Sequence, residues 1–400
     1  MLEGLPERTD GHAREDFPTI VHAFRHAVGH CPERPLLHCG GDTITYGQCG
    51  AGAAGVAARL KALGIGKGDR VVVAVAPRVI GPQLIFGVLA AGAQMVPVNP
   101  QYTTREMASL IDIARPAAVF ADGRATQALR PLAEEKGFRL LSAAGDGWRE
   151  GSVDQLPDPL PDADDPAIIL FTGGTTGRPK GVPHIHAAIM AALLLIEDRW
   201  PTALDTEGYL DLPPFFHIIG LFHGCFQPVF GRAQSVLLPR FHPRAVFQAL
   251  KEHGVTVFVI GAPIAYRVLM GHGGFAATDF SRLKYCGGGG APLSEDTLIA
   301  WENATGVAAL EGYGMSEGAP TCNNPLNGVR KARSAGLPVA CTDFQIVDVE
   351  TGRKRMPSGA PGEIRVKGPH VATRYLNDPE ATAAAFRDGW LYTGDIAYVD

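Results

Sequence analysis

The sequence predicts an α/β protein: two stacked α/β subdomains followed by a smaller, β-barrel-like one. Three observations lead there. Short apolar runs rich in Val, Ile and Phe alternate with helix-like segments, the pattern of parallel sheets covered on both faces. At 400 residues the chain exceeds the roughly 250–300 at which a single core stops growing. After about residue 324 the texture changes to strands separated by Gly- and Pro-bearing turns with little helix between them, which reads as an antiparallel or barrel-like unit.

The elements follow in order. Residues 43–61 open with Thr-Ile-Thr-Tyr and continue as an alanine-rich helix. Residues 70–75 read as a buried strand, 79–91 as a helix and 94–98 as a strand, then 104–114 as a helix and 117–121 as a strand. The stretch 145–166, rich in Asp, Pro and Gly, is a surface loop, and 167–171 is a short apolar strand. A second series has helix 185–198, strand 235–239, helix 243–253, strand 256–260 and helices 262–270 and 293–301. Strands at 344–349 and 363–367 close the reading. The expected units are therefore residues 1–184, with a phosphate loop at the end, 185–324 and 325–400.

Composition narrows the function classes. Hydrophobic residues at 46% and charged residues at 19% fit a soluble globular protein with a large interior. A net charge of -5, mixed along the chain, advertises neither nucleic acid nor an anionic membrane surface. The seven cysteines are scattered without a C-x-x-C pair, so no disulfide scaffold or zinc ribbon is indicated, and a reducing, cytoplasmic setting is expected. Residues 1–16 lack the apolar core of a secretory signal. The longest apolar run, 187–196, is far shorter than the ~20 residues a membrane span needs and reads as a buried helix.

The chemistry concentrates where strand 167–171 runs into Thr172-Gly173-Gly174-Thr175-Thr176-Gly177-Arg178-Pro179-Lys180-Gly181. Glycines let the backbone approach a polyphosphate, while N–H groups and threonine hydroxyls donate to its oxygens and Lys180 adds a positive charge. Arg178-Pro179 after Gly177 excludes the Walker loop, and no helix opens on a G-x-G-x-x-G as a dinucleotide fold requires. A plain Gly-Thr surface turn is the bland alternative for such a string.

Residues 170–181 resemble the phosphate-binding loop of the adenylate-forming superfamily, which includes acyl-CoA synthetases, luciferases and peptide-synthetase adenylation domains. Further segments resemble that family in its order. Leu212-Pro213-Pro214-Phe215-Phe216-His217 is similar to the segment that sets an aromatic and a histidine beside the carboxylate site. Gly287 to Gly290 with Ala291-Pro292-Leu293 resembles the stretch over the adenine, including Gly289. Gly312-Tyr313-Gly314-Met315-Ser316-Glu317 resembles the segment whose tyrosine stacks on adenine and whose glutamate meets magnesium. Gly362-Glu363-Ile364 and Tyr375-Leu376-Asn377-Asp378-Pro379-Glu380 look like the next family stretch, and 389–395, ending in Asp395, resembles the ribose-binding segment. The resemblance implies two flavodoxin-like subdomains and a β-barrel-like one.

It also implies a function: ATP-dependent activation of a hydrophobic fatty or aryl acid to an acyl-adenylate, then thioester formation with coenzyme A. The implied catalytic residues are His217, Thr172 and Glu317, with Thr172 and Glu317 as the Mg²⁺ contacts. The implied nucleotide contacts are Thr172, Gly173, Gly174, Thr175, Thr176, Gly177, Lys180, Gly289, Gly290, Ala291, Pro292, Gly312, Tyr313, Gly314, Met315, Ser316 and Asp395. Gly173 and Arg374 depart from the family's usual serine and glycine. A zinc cluster of His184, His186, His217 and His223 is not expected, because no Cys or carboxylate accompanies them at ligand spacing. The segment after His217 has no anionic partner for a substrate ammonium, which disfavours amino acids.

The family's chain typically continues into a small C-terminal domain carrying the adenylation lysine. The sequence stops at Asp400, so this polypeptide alone is expected to bind ATP and acid yet adenylate weakly. A non-catalytic nucleotide-binding module and a luciferase-like oxygenase remain the alternatives, a carrier pantetheine is an alternative acceptor, and a homo-oligomer is left open.

Overall fold

A computed structural model describes residues 16–144, 156–173 and 179–400. Three sheets organise it. The first has six strands in the order Arg139–Ser142, Ala118–Ala121, Arg70–Ala74, Gln94–Pro97, Pro166–Thr172 and Lys180–Ile185. All its pairs are parallel except the last, an antiparallel hairpin that sets Thr172 opposite Lys180. The Lys180–Ile185 strand escapes sequence reading because Pro183 lies in its middle. At the sheet edge proline costs no ladder hydrogen bond.

The second sheet has nine strands. Its parallel centre runs Ala308–Tyr313, Tyr285–Gly289, Val257–Gly261, Gly208–Asp211, Gln234–Leu237 and Pro35–Cys39. The antiparallel strands Cys322–Asn323, Leu337–Pro338 and Asp42–Thr45 finish its edges. Membership thus departs from chain order: the hairpin of residues 35–45, which a division at 184 would give to the first unit, extends the second sheet. Leu37 pairs with Ser235, and the Tyr46 hydroxyl donates towards the carbonyls of Pro228 and Ala233 at 3.0 and 2.7 Å. Nothing local in a strand's sequence names its partner. The third sheet is antiparallel, in the order Asp343–Val347, Gly362–Lys367, Trp390–Ala397 and Phe386–Arg387, over a small core of Ile346, Ile364, Val366 and Leu391.

Helix ends follow capping chemistry. The helix expected from Leu293 begins at Glu295, since the Ser294 hydroxyl accepts the Thr297 N–H. The helix expected from residue 262 begins at Ile264, with Pro263 as its N-cap. The apolar run 187–196 lies in helix His186–Arg199, buried almost throughout as expected. No helix among the described residues is long and apolar enough to cross a membrane.

His184, His186 and His370 are buried in this framework and His223 is half-buried, and desolvation lowers the pKa of each to about 4. Between the unfolded value near 6.5 and about 4 the unfolded chain binds more protons, so the stability gained by keeping these rings neutral is full above pH 6.5 and drains as pH falls towards 4. Urea titrations across that window should show the midpoint falling steadily with pH. A midpoint independent of pH there would contradict the burial.

Candidate active site

The parallel strands of the nine-stranded sheet end together at Asp211, Gly261, Gly289 and Tyr313, and a cavity opens beyond their carboxyl ends, where open α/β sheets bind ligands. Its free volume is about 190 Å³. Gly287, Gly288 and Gly289 form the floor, and Gly289 is fixed by close approach: a Cβ there would lie 2.8 Å from the Gly312 carbonyl oxygen. Trp200, Tyr285, Phe222, Ile218 and Ile219 wall it, and among the described residues no carboxylate, lysine or arginine lines it. The Trp200 and Tyr285 rings meet at 5.7 Å and 41°. Gly290, Gly312, Tyr313, Gly314, Met315 and Ser316 continue the lining on one side, while Ala291 and Pro292 lie exposed just outside.

His217 guards the mouth. It caps helix Ile218–Leu221, its Nδ1 accepting the Ile219 N–H at 3.2 Å. A ring whose Nδ1 accepts carries its proton on Nε2 when neutral. Although open to solvent in the cavity, His217 is surrounded by enough protein for desolvation to hold its pKa below the usual value, which favours that neutral form. Helix Ile218–Leu221 runs through a π-helical turn, Phe222–Phe226, into helix Gln227–Phe230. Phe222 and His223 of this turn line the cavity.

Beside the cavity, four distant segments converge. The Tyr313 hydroxyl donates to Asp395 Oδ2 at 2.6 Å, joining the nine-stranded sheet to the third sheet. Burial and then the carboxylate raise the Tyr313 pKa, so the phenol stays protonated. Glu317, 8% exposed, accepts the Tyr375 hydroxyl at 2.8 Å through Oε1. The Lys180 ammonium sits 4.8 Å from the Tyr375 ring centre, and Thr172 is its cross-strand partner. The Gly181 carbonyl accepts the Leu376 N–H at 2.8 Å, and His184 Nε2–H donates to the Ser316 carbonyl at 2.8 Å, tying the hairpin to both neighbouring segments.

Sequence reasoning therefore finds Thr172, Lys180, Glu317, Tyr313 and Asp395 linked through two tyrosines and one hairpin, with His217 on the adjacent cavity. Gly173 is exposed at the strand end, and Gly174, Thr175, Thr176 and Gly177 lie outside the described residues. Among the candidate histidines, His184 is held by Ser316, His217 by its own helix and His223 by Gln227. The reading missed Trp200, Tyr285, Asn323, the place of His223 in the cavity and the linking role of Tyr375. The first four sit in stretches whose patterns read as ordinary core, and only tertiary structure turns them to one space. Arg374, the departure from glycine, is exposed and is not among the residues with positive φ, so its backbone carries no left-handed strain.

A magnesium ion would need hard oxygen ligands near the phosphates. Among the described residues Glu317 Oε2 and Thr172 Oγ1 carry no hydrogen bond, and both lie beside the Lys180 hairpin, so the donor set fits such an ion.

A family model described as AMP-binding enzyme matches residues 24–376. A long-chain-fatty-acid–CoA ligase of Bacillus subtilis is 32% identical, the match covering 96% of this chain and 75% of that protein. A feruloyl-CoA synthase of an Amycolatopsis species is 30% identical over 92% of this chain and 74% of its own length. The crystal structure of ATP-bound MatB from Rhodopseudomonas palustris superposes with a TM-score of 0.85 at 30% identity, covering 95% of this chain and 76% of that one. The chain belongs to the AMP-binding enzyme family, the adenylate-forming superfamily, as an acid–thiol ligase of the acyl-CoA synthetase type.

Proposed function

We propose that this site joins a hydrophobic carboxylic acid to AMP, with the acid in the aromatic cavity and ATP on the rim where Lys180, Glu317, Tyr313 and Asp395 meet. The observation that carries this reading is the convergence itself: a tyrosine–carboxylate pair and a lysine–tyrosine–glutamate chain, drawn from four segments, beside an uncharged cavity at the carboxyl ends of the strands.

A carboxylate with a pKa near ~4 is ionised at neutral pH, so attack on the α-phosphorus needs no general base. The barrier is electrostatic, an anion approaching a polyanion. His217 offers Nε2–H to one carboxylate oxygen and orients the nucleophile. Lys180 and the N–H groups of the loop lower the charge on the phosphates as pyrophosphate departs. Thr172 and Glu317 would hold Mg²⁺, which supplies further charge neutralisation when bound. Asp395 accepts from the ribose hydroxyls, and Tyr313 packs on the adenine. The absence of a carboxylate among the described residues of the cavity lining speaks against an amino-acid substrate, whose ammonium would be buried unpaired. A thiol, that of coenzyme A, then takes the acyl group from the mixed anhydride. Seven free cysteines suit a cytoplasmic setting.

Exchange of labelled pyrophosphate into ATP, dependent on an added acid, tests the reading, and no exchange with any of a broad panel of acids would refute it. Tyr375→Phe removes the hydroxyl that aims Glu317 while keeping the ring under Lys180. It is expected to slow exchange about tenfold, the worth of one hydrogen bond to a charged group. An unchanged rate would show that Glu317 needs no such support.

A further inference from the structure

The cavity is small, aromatic and fitted with two histidines fixed in opposite tautomers. Gln227 is fully buried, and its Nε2 donates to Glu197 Oε1 at 2.8 Å and to the Trp200 carbonyl at 3.2 Å. Both partners accept only, so the amide cannot be turned around, and its Oε1 is the atom 2.8 Å from His223 Nδ1. An amide oxygen accepts, so Nδ1 carries the His223 proton. With burial lowering its pKa to about 4, the ring is neutral and Nε2 is a bare acceptor. No hydrogen bond reaches Nε2 among the described residues. His217 is the opposite case, with Nδ1 occupied and Nε2–H free to donate. Of the two histidines that line the cavity, His217 thus asks for an acceptor and His223 for a donor.

A third polar group stands by. Asn323 is 3% exposed and lines the cavity, yet its side-chain amide makes no hydrogen bond among the described residues, and its Nδ2 is wholly enclosed. Room for this amide is kept by Gly312, whose Cβ would lie 2.5 Å from Asn323 Oδ1. Asn323 and His223 flank Trp200: that Cβ position is 3.4 Å from Trp200 Cη2, and the His223 ring centre is 5.7 Å from the indole.

Size sets the rest. An apolar cavity of about 150 Å³ accepts one benzene ring. The free volume of about 190 Å³ therefore suffices for a single ring with a short arm.

We propose that the acid taken here is a compact aryl acid bearing a ring hydroxyl, its carboxylate at His217 and its hydroxyl donating to His223 and facing Asn323. A hydroxyl donates to His223 Nε2; a methoxy group gives nothing to it, and an alkyl chain leaves it unpaired. Gln227 and Glu197 act as positioning residues that fix the His223 tautomer. The inference rests on the acid-activating reading above.

The test uses the full chain with ATP and magnesium. Dissociation constants for benzoate, cinnamate, their monohydroxy and monomethoxy derivatives, octanoate and hexadecanoate are measured by calorimetry, with pyrophosphate exchange run on the same acids. One hydroxy isomer should bind about 10- to 100-fold tighter than its unsubstituted parent and its methoxy analogue, with hexadecanoate weakest. In His223→Leu that ratio should fall towards one, and in Gln227→Met it should fall too although no ligand atom is touched; thermal unfolding reports whether each variant is folded. Equal binding of parent and hydroxy acids, or tighter binding of hexadecanoate, overturns the proposal, and the wild-type series decides this even where a variant does not fold. Silence in the exchange assay with every acid refutes the activating reading instead.

Discussion

Glu317→Gln is expected to slow adenylation by about 10²–10³-fold, the usual cost of removing one group aimed at charge that develops in a transition state. The substitution is chosen for what it preserves. Glutamine keeps a carbonyl oxygen to accept the Tyr375 hydroxyl, now 2.8 Å from Oε1, and the Glu317 main-chain carbonyl still accepts the Ala372 N–H. Shape and backbone contacts therefore survive, and only the negative charge at the position beside Lys180 and Thr172 is lost. The loss should fall on kcat with little change in the KM for the acid, whose cavity Glu317 does not line. Rates read by pyrophosphate exchange, beside an unchanged thermal midpoint, separate this outcome from unfolding. A variant with near wild-type kcat would remove Glu317 from the proposed chemistry.

Asp395→Ala is expected to raise the KM for ATP about 30- to 100-fold. Two hydrogen bonds from ribose hydroxyls to a carboxylate are each worth roughly 1.5–3 kcal/mol, partly offset by water entering the gap. The effect should be nearly absent with 2′,3′-dideoxy-ATP, which has no hydroxyls to lose. Wild type and variant should bind that analogue alike. Asp395 is exposed on strand Trp390–Ala397, and among the described residues its side chain is held by the Tyr313 hydroxyl alone, so the fold has little stake in it. A tenfold or larger loss for the dideoxy analogue too would assign the carboxylate to holding Tyr313 in place and not to gripping ribose.

Much of this molecule was legible in the sequence, and the boundary of legibility has physical causes. Central strands such as Arg70–Ala74 and Val257–Gly261 are buried on both faces and announce themselves as unbroken apolar runs. Helix Thr104–Ala114 is marked at its start by the reciprocal Thr103–Glu106 capping box, and its extent is as expected. Strand Gly208–Asp211 did not show, since four residues between turns carry too little pattern. The site divides in the same way. Thr172, Glu317, Tyr313 and Asp395 stood out because loop chemistry and motif order mark them, and the fold brings them together. His223, Asn323 and Trp200 did not, because their meaning lies in partners far along the chain: Gln227 for one, Gly312 for another, and for the third the Asn324 carbonyl, which accepts the indole N–H at 2.8 Å. The Thr-Gly loop between Gly173 and Pro179 is legible in sequence alone.

We propose that residues 172–181, Glu317 and Asp395 hold one nucleotide next to the aromatic cavity. A crystal structure with ATP and magnesium tests it most directly. The triphosphate should lie along the hairpin loop beside Lys180, both ribose hydroxyls within hydrogen-bonding reach of Asp395, and the adenine between Tyr313 and the Gly289–Gly290 backbone, leaving the cavity between His217 and Trp200 free for the acid. A nucleotide seated inside that cavity, or one that touches neither Lys180 nor Asp395, would contradict the account.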